Sequence, residues 1–187
     1  MSTIEQNCII TGGAVDVQAM FGEIIATFTI PAITEKFVAK DKFKVGIGKK
    51  SEVKISHLGN NFRKWFLEKE EDPFVGSSIY GRQLKSSFTD GSILKELNGY
   101  KKAEITLSEI CVMLEDDSHL NGEIGVLSND GRTNIFYVRD INHILRVVSI
   151  DLDNDGWHVN AFSVVDRQKW RYGVSVFSRN FLPSNPA

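Results

Sequence analysis

Cysteine is scarce in this chain of 187 residues. There are two, Cys8 and Cys111, far apart and in no CxxC or Cys/His spacing. That leaves no disulfide framework and no thiolate zinc signature, and it predicts two reduced, buried thiols. Long apolar runs are missing as well. The longest near the start, Ala19 to Ile33, is broken by Glu23, several threonines and Pro31, so no segment spans a bilayer. Ser2 to Gln6 carries no basic n-region, and Cys8-Ile9-Ile10 is too short for a signal-peptide core. These absences predict a cytoplasmic protein without a membrane partner. Neither sign of charge dominates, with 22 Lys and Arg against 24 Asp and Glu, a net charge of −2. Nothing therefore pulls the whole molecule toward nucleic acid or anionic lipid, and any basic site must be local.

Familiar catalytic signatures are absent too. The chain has no G-x-S-x-G, no Walker loop, no G-x-G-x-x-G and no H-E-x-x-H. Gly12-Gly13 lacks the strand and helix that a phosphate loop needs. The four histidines, His57, His119, His143 and His158, share no metal-ligand spacing. His158 follows an acidic turn, so an Asp–His pair is one option there. A nucleophile such as Ser149, Ser163 or Cys111 would have to be brought in by the fold. No internal repeat, low-complexity tract or heptad pattern occurs.

What is present reads as an ordinary globular composition, 42% hydrophobic and 25% charged, long enough for one sizeable core or two small ones. The second half organises the chain. Glu123 to Ser128, Asn134 to Arg139, Ile144 to Ile150 and Trp157 to Val165 are short apolar or β-branched runs. Asn129-Asp130-Gly131 and Asp153-Asn154-Asp155-Gly156 separate them, and Asp-Gly between apolar runs signals a hairpin. Tyr172 to Ser178 supplies a last strand. The expectation is an antiparallel meander from 123 to 178.

Helices flank these strands. Thr89 or Asp90 caps a helix through Ile93, Leu94 and Leu97, and Asn98-Gly99 stops it in the left-handed manner. Thr106 and Glu109 have capping-box spacing ahead of Leu107, Ile110, Cys111 and Leu114 on one face. Glu115-Asp116-Asp117 then sits at the wrong end for the helix dipole and must be solvated or paired. Earlier, Gln18 to Ile30 fits a helix turning into a strand, and Pro31 breaks it. Lys42 to Ile47 and Val53 to Ile55 alternate around a Gly-containing turn, which predicts a hairpin. Asn60 or Asn61 caps a short helix carrying Phe62, Trp65 and Phe66. The fold class is α+β: an antiparallel meander packed on two or three helices, with an N-terminal β-hairpin subregion. The acidic stretch Glu68 to Pro73 suggests a boundary between residues 1–72 and 73–187; the alternative is one continuous domain.

Three constellations carry chemistry. Lys42, Lys44 and Lys54 share one face of the expected hairpin within a lysine-rich stretch that includes Lys49 and Lys50. A basic face neutralises phosphates, and Trp65 or Phe66 could stack on a base; the plain alternative is a solvated face over an aromatic mini-core. Arg167, Lys169, Trp170 and Arg171, with Tyr172, form a second basic and aromatic stretch. Arg and Trp together favour stacking and protein interfaces, against a plain rim over the sheet end. Asp151, Asp153, Asp155 and Gly156 match the first half of a calcium loop, but Val159 and Phe162 stand where its later ligands belong. A charged hairpin turn is the simpler reading, with a calcium ion as a weak alternative and no other cofactor.

Ile135-Phe136-Tyr137-Val138-Arg139-Asp140 and Val176-Phe177-Ser178-Arg179-Asn180, with Asn61 to Leu67, resemble a pattern in small bacterial proteins of no known activity. The resemblance implies a bacterial or bacteriophage context only. The sequence thus favours a non-enzymatic binding protein that contacts a macromolecule. Its partner is a protein or a second copy of itself, with single-stranded nucleic acid as another option. The alternative is a small hydrolase or nuclease whose site the sequence does not display.

Overall fold

The computed structural model describes residues 20–48, 51, 53–119, 125–164 and 169–179. In chain order the strands are β1 (Phe21–Ile30), β2 (Phe37–Val38), β3 (Ile55–Leu58), β4 (Glu70–Glu71), β5 (Ser77–Leu84) and β6 (Phe88–Thr89). They continue with β7 (Asn134–Arg139), β8 (Leu145–Asp153), β9 (Gly156–Ser163), β10 (Lys169–Trp170) and β11 (Ser175–Arg179). The helices are α1 (Ala39–Lys42), α2 (Asn60–Phe66), α3 (Asp90–Glu96), α4 (Tyr100–Ala103) and α5 (Leu107–His119).

Seven strands form one sheet in the order β1-β5-β11-β7-β8-β9-β3. Most neighbours are antiparallel, but β11–β7 and β3–β9 are parallel. Both faces are covered. On one, Phe62 and Phe66 of α2 and Leu107, Ile110 and Leu114 of α5 pack on Phe136, Val148 and Phe177. On the other, Ile93 and Leu94 of α3, Leu97 just after it, and Trp170 pack on Ile135, Tyr137 and Val147. This is why Asn134 to Val138 is buried at every position rather than alternately.

The helix signals of the second half are all used. Thr89 Oγ1 accepts the Ser92 N–H at 3.4 Å. Asn98 takes φ +60°, its N–H donates to the Lys95 carbonyl, and the Gly99 N–H donates to the Leu94 carbonyl. That is a Schellman stop built on asparagine. Thr106 and Glu109 close a reciprocal capping box, Thr106 N–H to Glu109 Oε2 at 2.7 Å and Glu109 N–H to Thr106 Oγ1 at 3.2 Å. The β8–β9 hairpin turns at Asn154-Asp155. Gly156, at φ +135°, is required there, because a Cβ would stand 2.5 Å from the Lys54 carbonyl oxygen.

Several expectations need correction. The meander is only β7-β8-β9. The last strand, β11, lies between β5 and β7, where its residues Ser175 to Ser178 are buried. The far edge of β9 is occupied by β3 instead. Residues 125–133 form no strand, and 123–124 lie outside the described residues. The Val126 and Leu127 N–H groups donate to the Asp117 carboxylate at 2.8 and 3.1 Å, not to a neighbouring strand.

Phe21 to Ile30 is strand throughout, because pairing with β5 overrides the helical stripe. Among the described residues the N-terminal hairpin is reduced to one antiparallel bridge, between Gly46 and Ile55. Phe43 is buried against Phe37 and Phe62, with centroids 6.4 and 5.0 Å away, and this pulls the segment out of extended pairing. Val45 and Ile47 are left exposed. Neither asparagine caps α2; Gly59 holds the cap position, and Asn61 Nδ2 instead donates to the Ala161 carbonyl at 3.2 Å. Strands from both sides of the acidic stretch share the seven-stranded sheet.

Candidate functional site

Parallel pairing of β7 and β11 fixes the site. Parallel strands start at the same end, so the segments leading into them lie side by side. Ser175 N–H donates to the Thr133 carbonyl at 2.9 Å, and Ser175 is in register with Asn134. Residues 131–133 and 169–174 thereby line a surface hollow of about 460 Å³. Lys169 and Arg171 are exposed at its rim, and Tyr172 is 73% exposed. Arg132 comes from the other segment, packs along Gly173, and pairs with Asp130 at 3.2 Å in solvent. Three cations and an exposed tyrosine therefore converge on one depression.

Trp170 belongs to the core beneath this hollow. It is 6% exposed, and its Nε1–H donates to Asp90 Oδ1 at 2.7 Å. Its ring meets Phe162 edge-on at 5.8 Å. The expected stacking tryptophan thus shapes the floor, and Tyr172 is the ring offered to solvent. Arg167 lies outside the described residues.

The lysines of the first half are in a different situation. Lys36 pairs with Glu70 at 2.5 Å, Lys40 with Glu68 at 2.9 Å and Lys42 with Glu115 at 2.9 Å. Lys44 faces Asp41 at 3.8 Å. The hydrogen bond and charge of Glu70 hold Lys36 above the ordinary lysine range, and Lys36 in turn holds Glu70 below its own. Glu68 and Glu70 of the acidic stretch thus meet Lys40 and Lys36, while Lys42 and Lys44 meet carboxylates from elsewhere. Lys54 is exposed and takes part in no ion pair with a described residue. Its carbonyl accepts the Trp157 N–H at 2.8 Å, which sets it beside the acidic turn rather than with Lys42. Lys49 and Lys50 lie outside the described residues. Trp65 is half-buried under the Arg146 guanidinium, 4.1 Å from its centroid, and Phe66 is buried.

At the acidic turn, Asp153, Asp155 and His158 bring one ligand-type atom each within 4.8 Å of one another. His158 Nε2 and Asp155 Oδ1 are 3.3 Å apart, which is the Asp–His pairing the sequence raised. Asp151 is the register partner of His158, and His57 is its partner on the other side. No described contact brings Ser149, Ser163 or Cys111 to this pair.

The buried carboxylates are committed to the fold. Glu109 is fully buried, accepting from Ser77 Oγ at 2.5 Å and from Arg179 Nε at 3.0 Å and Nη2 at 2.5 Å. Glu71 accepts the Leu107 and Ser108 N–H groups at 3.0 and 2.8 Å, at the start of α5. Burial alone would raise Glu71, but the Lys69 charge and hydrogen bond and the two N–H donors outweigh it and hold the carboxyl low. Asp140 follows the same logic, with burial opposed by the Ile144 N–H, Arg146 and the Asn142 N–H.

Comparison with protein-family models, with curated proteins and with solved structures found no match. No helix among the described residues is long and apolar enough to cross a membrane. The site is therefore read from its own geometry. Sequence reasoning found Lys169, Arg171 and Tyr172 as a cluster but missed Arg132. Nothing local joins Arg132 to residues 169–174; only the β7–β11 register does.

Proposed function

We propose that this chain is a non-enzymatic binding protein that takes an acidic segment of a partner protein in the hollow between residues 131–133 and 169–174. The carrying observation is the convergence of Arg132, Lys169 and Arg171 around exposed Tyr172 on a molecule of net charge −2. Arginine and tyrosine are the residues that interfaces favour, and local cations steer an anionic partner. Single-stranded nucleic acid fits less well. It asks for a track of cations along several phosphates, and Lys36, Lys40 and Lys42 are already matched by carboxylates. The hydrolase or nuclease alternative has no observation in its favour beyond the His158–Asp155 contact.

Fluorescence anisotropy tests the reading. A labelled Glu-rich peptide containing one tyrosine should bind the wild-type chain at low salt more tightly than a labelled single-stranded oligonucleotide. Arg132→Glu/Lys169→Glu/Arg171→Glu should weaken peptide binding by at least about tenfold, on the order of 1.4 kcal/mol. Equal binding by that variant would remove the hollow from the account, and tighter oligonucleotide binding would favour the nucleic-acid reading.

Self-association is a second reading, with its own observation. β1 is at the end of the sheet, and Ile24 and Ile25 on it are exposed. An edge strand of this kind is a template for pairing with another chain. Light scattering at tens of micromolar should report a mass above the monomer, and Ile25→Lys should return it to the monomer. A clean wild-type monomer would sink this reading.

A further inference from the structure

We infer that the face formed by the β8–β9 turn and β3 is a site for a borderline divalent transition ion, such as zinc, nickel or cobalt, held by His158, His57, Asp153 and Asp155. The residues come from three places in the chain and are gathered by strand register. His57 of β3 is opposite His158 of β9, and Asp151 of β8 is opposite His158 on the other side. Register neighbours point to one sheet face. The two imidazole rings are 5.6 Å apart, and Asp153, Asp155 and His158 converge within 4.8 Å.

One printed spacing, between His158 and Asp155, is that of two ligands on one ion. Zinc ligands sit about 2.0–2.2 Å from the metal in a tetrahedron, so any two of them are about 3.3 Å apart. His158 Nε2 and Asp155 Oδ1 are separated by 3.3 Å, long for a charge-assisted hydrogen bond. Two imidazoles also decide the class of metal. Calcium takes oxygen ligands, while imidazole selects zinc, copper, nickel and iron. The calcium loop suggested by Asp151, Asp153 and Asp155 alone is thereby redirected.

A second observation points to a cation. Among the described residues, no Lys or Arg pairs with Asp151, Asp153 or Asp155, although Lys54 is nearby in the fold. Asp151 Oδ1 is shut off from solvent with no hydrogen-bond donor. Asp151 is the carboxylate placed to hold the second nitrogen of a ligating imidazole, as such partners commonly do.

The full chain, stripped with chelator, is the material for the test. Thermal melts with zinc, cobalt or calcium chloride, each at about 100 µM, give the first readout, because an ion that binds only the folded state raises the melting temperature. Zinc and cobalt should raise it by several degrees and calcium should not. Cobalt should also give visible d–d absorption without the near-ultraviolet band of a thiolate ligand, which separates this site from Cys8 and Cys111. His158→Ala should abolish both signals, and His57→Gln should weaken cobalt binding at least tenfold. Both side chains are at least partly exposed, so the metal-free melts should stay at the wild-type value. A response that survives in His158→Ala, an equal response to calcium, or no response in the wild type would each overturn the inference.

Discussion

Asp90 is 2% exposed and is held by two donors that are distant in sequence. Tyr137 O–H donates at 2.8 Å and Trp170 Nε1–H at 2.7 Å, both to Oδ1. Burial pushes the Tyr137 hydroxyl far above its ordinary range, and the adjacent Asp90 charge and hydrogen bond push it further. Removing one donor takes a hydrogen bond from a buried carboxylate, which costs about 1–3 kcal/mol. Tyr137→Phe should lose that much in urea denaturation while keeping the ring's packing. A loss below about half a kcal/mol would mean that the contact holds nothing. Trp170 and Asp90 look unrelated in the sequence, one in a basic stretch and one a capping candidate. Only the pairing of β10 with β6 brings them together.

At the scale of elements, α5 shows which signals are local and which are not. Its capping box was legible because Thr106 and Glu109 act within one turn. Its second anion was not, because Glu71 arrives from β4, and the stretch around it reads as a solvated boundary. Likewise the Asn98 stop was legible, and the Asp117 clasp on Val126 and Leu127 was not. The hairpin expected around the Gly-containing turn is cut to a single bridge for the same reason, since Phe43 answers to Phe37 and Phe62 rather than to its neighbours. Glu71 also makes a pH prediction. Its folded pKa lies below the ordinary value, so the folded state binds fewer protons than the unfolded state in the acid range. Its contribution is complete above about pH 4.3 and is lost as pH falls through the folded value. Asp117, raised by burial, acts in the opposite direction. Urea midpoints should therefore fall less between pH 6 and pH 3.5 in Glu71→Gln than in the wild type. An identical fall in both would show that Glu71 is not a source of the acid sensitivity.

For the whole molecule, two parallel pairings in a mostly antiparallel sheet do the assembling. The β7–β11 pair brings 131–133 to 169–174, and the β3–β9 pair brings His57 to His158. Neither pairing has a local signature, so the individual residues of each site were visible in the sequence but their company was not. The lysines show the converse. Lys42 and Lys44 looked like a free basic face, and the fold sets carboxylates against them. The central claim is that an acidic partner segment occupies the 131–133/169–174 hollow. The most direct measurement is a titration of ¹⁵N-labelled chain with the Glu-rich peptide, followed by amide chemical shifts. Shifts concentrated at Arg132, Thr133 and residues 171–174, with residues 36–44 unmoved, are what the account predicts. Shifts centred on 36–54, or none at all at saturating peptide, would contradict it.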